Sequence, residues 1–126
     1  MEFTIITEIV GKTMTRAEKT THQGEDALVL EDEAGTVYTF AHSRDCCENV
    51  NIESITGDLA DLIGVPLWLA EEAEQRGGEE DDASSTWTFY KFATSKGYVD
   101  VRFYGTSNGY YSEGVYLSIE HKPEES

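Results

Sequence analysis

Both thiols of the chain lie in one short stretch, His42-Ser43-Arg44-Asp45-Cys46-Cys47-Glu48. Residues of these types support more than one chemistry. His42, Asp45, Cys46 and Cys47 could ligate a transition metal if they converged on one point. Adjacent residues on a strand point to opposite faces, so Cys46 and Cys47 would both ligate only from a turn. One histidine beside two adjacent cysteines does not match a zinc-knuckle spacing. A catalytic thiol needs a base and a lowered pKa. His42 could be that base, but no oxyanion hole or orienting third group accompanies it. The plainer reading is a turn at a sheet edge with one cysteine buried and the other partly exposed, and it is the one we prefer. Neighbouring cysteines rarely bond to each other because the ring is strained. No intramolecular disulfide is expected, and a reducing cytoplasm is the simplest setting.

The carboxylates are the second group that could act. There are 25 Asp and Glu against 9 Lys and Arg, for a formal net charge of −16. Phosphate neutralisation needs Lys and Arg, so direct nucleic-acid binding is not expected, nor is binding to an anionic membrane surface. Residues 71–82 hold seven acids, with Arg76 alone opposing them. A solvated, self-repelling loop is the plain reading of such a run. A charge mimic that occupies a basic groove on a partner is the functional one, centred on Glu79, Glu80, Asp81 and Asp82. Adaptation to high salt is a third. Calcium binding is discounted, because consecutive acids do not supply alternating ligands around a glycine. Asp58 and Asp61 sit one helical turn apart, and Asp58 reads as a helix cap rather than as half of a glycosidase pair.

Tyrosines form the third group. Tyr104, Tyr110, Tyr111 and Tyr116 cluster around Ser107-Asn108-Gly109. They suit either cross-strand packing on an open sheet face or an interaction surface, since tyrosine joins apolar area to a polar tip. Tyr104 and Tyr116 fall on the parity opposite the core residues of their strands.

The elements that must position these groups read mainly as strands. Val99, Val101 and Phe103 alternate with Asp100, Arg102 and Tyr104. Val115, Leu117 and Ile119 alternate with Tyr116, Ser118 and Glu120. Trp87, Phe89 and Ala93 share one parity of the preceding run and Tyr90 and Phe92 the other. With turns at Ser95-Lys96-Gly97 and Ser107-Asn108-Gly109, residues 86–120 are expected to form a three-stranded antiparallel meander. Further strands are expected at 5–10, bent by Gly11 into 13–17, then at 27–30, 36–42 and 50–55, and also at 67–73. One short helix is expected near 58–63, capped by Asp58 and ended by Gly64 and Pro66. The fold is therefore mainly β, an antiparallel sheet of about seven to eight strands in the form of a curved sheet, a sandwich or a half-open barrel. The 126 residues form a single domain, with an acidic mobile loop at 75–85 and a frayed tail at 122–126. The start Met1-Glu2-Phe3-Thr4-Ile5-Ile6 lacks the positive charge of a secretory signal, and no apolar run approaches the roughly 20 residues of a membrane span.

Several stretches are familiar together: His42 through Asn49-Val50 into Gly57-Asp58-Leu59-Ala60-Asp61-Leu62-Ile63-Gly64, then Thr86-Trp87-Thr88-Phe89-Tyr90-Lys91-Phe92-Ala93-Thr94, and Ser107-Asn108-Gly109-Tyr110-Tyr111-Ser112. Ile9-Val10-Gly11-Lys12-Thr13 fits too. The chain resembles a family of small uncharacterised proteins of tailed bacteriophages and prophages. The resemblance implies a phage origin and a host-cytoplasmic setting, and no catalysis. The expected function is that of a non-enzymatic accessory protein acting through protein–protein contact. It would serve as an acidic inhibitor or mimic directed at a basic site on a host or phage partner. No cofactor is expected. An exposed sheet edge and a tyrosine-rich face also allow a homo-oligomer. The alternative is a small-molecule or metal-binding module centred on segment 42–47.

Overall fold

The computed structural model describes residues 6–22, 24–42, 49–77, 84–107 and 114–120. The strands are β1 (Met14–His22), β2 (Glu25–Asp32), β3 (Val37–Ala41), β4 (Asn49–Thr56), β5 (Leu69–Gly77), β6 (Ser84–Thr94), β7 (Gly97–Ser107) and β8 (Tyr116–Glu120). They form two four-stranded antiparallel sheets, ordered β1-β2-β3-β8 and β4-β7-β6-β5. The two inner faces share one core, so of the expected architectures the sandwich is the one adopted. Phe40 of β3 meets Tyr90 and Phe92 of β6 edge-on, with ring centroids 4.8 and 5.8 Å apart. Leu28, Leu30, Val99, Val101 and Phe103 complete the middle of the core.

Three expectations need correction. Residues 6–9 are not a strand but a 3-10 turn, Ile6–Ile9, with both isoleucines buried. A strand would send residues three apart to opposite faces, whereas a 3-10 turn eclipses them and buries both. Gly11, with φ +92°, then redirects the chain into β1. The helix near 58–63 is a single 3-10 turn, Leu59–Leu62, with the Asp58 side chain accepting from Ala60 N as a cap. Between the left-handed Gly57 and Gly64 there is room for one turn and no more.

The third correction concerns the meander. β6 and β7 do form the expected hairpin, but the last strand does not continue it. β8 crosses to the other sheet and pairs with β3, Phe40 opposite Leu117. The reason is occupancy: β7 already has β6 on one side and β4 on the other. Alternation along β8 determines which face of the strand is buried, not which strand it pairs with.

The two sheets are also joined by side chains. β4 is an edge strand, and two of its amides donate to carboxylates of β2: Val50 N to Glu25 Oε2 at 2.9 Å and Ile52 N to Asp26 Oδ2 at 3.0 Å. In return Asp26 N donates to Asn51 Oδ1 at 2.9 Å. These bonds occupy amides that an edge would otherwise offer to another chain.

Candidate functional site

The outer face of the β4-β7-β6-β5 sheet carries the richest set of side chains among the described residues. On β6, Tyr90 and Phe92 enter the core, so Trp87, Phe89 and Lys91 stand on the opposite face. Parity does the same on β7, where Val99, Val101 and Phe103 are buried and Asp100, Arg102 and Tyr104 face out. On β4 an irregularity between Ile52 and Ser54 lets both Ile52 and Ile55 turn to the core while Ser54 and Thr56 face out. Cross-strand register then assembles rows. Thr56, Asp100, Lys91 and Glu71 form one row, and Ser54, Arg102, Phe89 and Ala73 the next.

These two rows floor an open cleft of about 960 Å³, with Ile6 and Thr7 also on its wall. Arg102 Nε donates to Glu53 Oε1 at 2.8 Å, which leaves its terminal nitrogens available. Lys91 Nζ lies 6.0 Å from the centre of the Tyr98 ring. It makes no ion pair with its cross-strand neighbours Asp100 and Glu71. Beyond Phe89 along β6, Trp87 lies against Tyr104 of β7, ring centroids 4.9 Å apart. At the β5 edge, Tyr90 Oη donates to Glu72 Oε2 at 2.8 Å. Burial, and then the Glu72 charge, push the Tyr90 phenol well above its ordinary pKa. The Tyr38 phenol is raised likewise, by burial and by its hydrogen bond to Asp32 Oδ2.

The residues singled out in the sequence fare differently. His42 is buried, and its Nδ1 donates to the Gly114 carbonyl at 2.8 Å, joining the end of β3 to the approach of β8. Asp45, Cys46 and Cys47 lie outside the described residues, as do Glu79, Glu80, Asp81, Asp82, Tyr110 and Tyr111. No group of three His, Cys, Asp or Glu that could hold a metal ion occurs among the described residues. Tyr104 and Tyr116 stand on different sheets, Tyr104 half-buried against Trp87 and Tyr116 exposed on β8. They do not form one tyrosine patch. Of the segment expected to be a loop at 75–85, residues 75–77 continue β5 and residues 84–85 begin β6, and 78–83 lie outside the described residues. The part of the acidic run that the structure describes is therefore strand. Glu71, Glu72 and Glu74 are exposed on β5, which has β6 on one side and, among the described residues, no strand on the other. Sequence reasoning missed Phe89, Lys91, Asp100 and Arg102 as a group. The signal was present in the shared odd parity of Trp87, Phe89 and Lys91, but only the register brings β7 and β4 beside it.

A family model spans residues 7–117, from the first 3-10 turn into β8. The chain belongs to DUF7448, a domain of unknown function. The DUF7448 match takes in all the strands of both sheets up to Leu117, and so the whole floor of the cleft. No curated protein and no solved structure matches the chain. Among its described residues no helix is long and apolar enough to cross a membrane.

Proposed function

We propose that this DUF7448 protein is a non-enzymatic accessory protein of a tailed phage, working in the host cytoplasm through protein–protein contact. Its acidic surface is set against a basic site on a host or phage partner, as an inhibitor or mimic. The observation that supports this reading best is β5, which among the described residues has no strand on its far side and exposes Glu71, Glu72 and Glu74 in a chain of net charge −16. An edge of this kind offers backbone hydrogen bonds and a negative field together. Like charge on a second copy opposes pairing of β5 with itself, so a homo-oligomer would have to use another edge.

The test is capture from host lysate on immobilised protein at low salt, followed by elution with rising salt. A basic protein retained at about 50 mM salt and released by about 500 mM is expected, because surface charge pairs are screened over that range. Glu71→Lys with Glu74→Lys should abolish the capture. Glu72 is left unchanged in that variant because it holds Tyr90. Failure to retain any basic protein at low salt contradicts the proposal.

A further inference from the structure

We propose that the cleft on the outer face of the β4-β7-β6-β5 sheet binds a neutral carbohydrate chain. The inference stands on the cleft itself and does not depend on the protein-contact reading. A volume of about 960 Å³ is at the upper end of the range of small-ligand sites. Its floor is centred on the Phe89 ring, half-buried and therefore presenting apolar surface to whatever enters. Trp87 follows two residues along the same strand, about 7 Å away by strand geometry, with Tyr104 against it. Aromatic surfaces repeated along one strand, on one side only, suit successive rings of a chain lying on the sheet.

The polar groups point the same way. Around the cleft stand two cations, Lys91 and Arg102, and three carboxylates, Asp100, Glu71 and Glu72, the last accepting from Tyr90. Charges of both signs are interspersed there, with a small excess of carboxylates in a chain of net charge −16, so the cleft opposes an anionic ligand. Lys91, Asp100 and Glu71 do not satisfy one another, so donors and acceptors are both open to a ligand. A sugar hydroxyl is donor and acceptor at once and pairs with either kind. The apolar C–H face of a pyranose covers an aromatic ring. A phosphate-bearing ligand would meet Asp100, Glu71 and the field of the whole molecule.

The experiment uses the full chain carrying Trp68→Phe, a change at an exposed position that leaves Trp87 the only tryptophan. Maltotriose, cellotriose and N,N′,N″-triacetylchitotriose are titrated to about 10 mM while Trp87 emission is followed. The expected result is a saturable blue shift with at least one of them, with a Kd between about 0.1 and 5 mM that does not change with added salt. Phe89→Ala and, separately, Asp100→Asn should each raise that Kd about tenfold or more, with the far-UV circular dichroism unchanged. Asp100→Asn removes a half-buried charge without loss of volume, so it reads the site even if Phe89→Ala perturbs packing. No shift with any of the three sugars overturns the proposal, as does an affinity indifferent to both substitutions. Salt-sensitive binding of AMP in place of the sugars also overturns it, and assigns the cleft to a nucleotide.

Discussion

Phe40 and Trp87 are both large aromatics on strands rich in β-formers, yet they do different work. Phe40 is fully buried and touches two other rings across the sheets. Trp87 lies on the outside of β6 and, among the described residues, pairs with the Tyr104 ring. Phe40→Ala should therefore cost about 3–5 kcal/mol, the range for emptying a core site. Trp87→Ala should cost less, about 1–3 kcal/mol, for a half-buried ring and its aromatic pair. Urea denaturation midpoints separate the two, and equal losses would place Trp87 in the core. The buried phenols set a second residue-scale expectation. Folding raises the pKa of Tyr90 and Tyr38, so the folded state holds their protons more tightly than the unfolded chain. Their contribution is complete below the unfolded value of about 10 and is lost as pH rises above it. The urea midpoint should thus start to fall near pH 10 on the alkaline side, and Tyr90→Phe should make that fall shallower.

At the scale of elements, the structure depends on how strands begin, end and protect their edges. Gly57 closes β4 with φ +99°, and a Cβ there would run into the carbonyl oxygen of Tyr98. Gly57→Ala should cost about 1–3 kcal/mol, read as a lower urea midpoint, whereas Gly11→Ala meets no neighbour and should cost less. The β4 edge makes a further prediction. Removing the carboxylates with Glu25→Ala and Asp26→Ala leaves the Val50 and Ile52 amides without their acceptors. Each loss should cost about 1–3 kcal/mol, and hydrogen exchange at those two amides should accelerate.

Much of this level was legible in the residues. Alternation at Val99, Val101 and Phe103 and at Val115, Leu117 and Ile119 predicts strand and buried face correctly, because the side-chain period of two is a local property. The partner of β8 is not local. It depends on β4 having taken the free side of β7, which no pattern within β8 records. The mistaken strand at 5–10 has a similar cause: Ile6 and Ile9 suit either a strand or a tight turn, and burial of both decides it. For β6 both parities are aromatic, so the sequence could not tell the Tyr90–Phe92 face from the Trp87–Phe89 face. The cleft was hidden for that reason, although Asp58 as a cap and the β6–β7 hairpin were plain.

The whole molecule is a two-sheet sandwich in which the described part of the acidic run is strand. Glu71, Glu72 and Glu74 are carried on an ordered edge strand rather than on a loop. A strand fixes where these carboxylates stand, with Glu71 on the outer face beside Lys91 and Glu72 and Glu74 on the opposite parity. Membership of DUF7448 covers this strand and the cleft alike. The central claim is that the acidic edge of β5 recognises a basic partner. The most direct measurement compares capture from host lysate by the native protein and by the Glu71→Lys, Glu74→Lys variant, at matched folding stability and at low salt. The account predicts one basic protein held by the native form, released by salt and absent from the variant. Equal capture by both forms, or none by the native one, would contradict it.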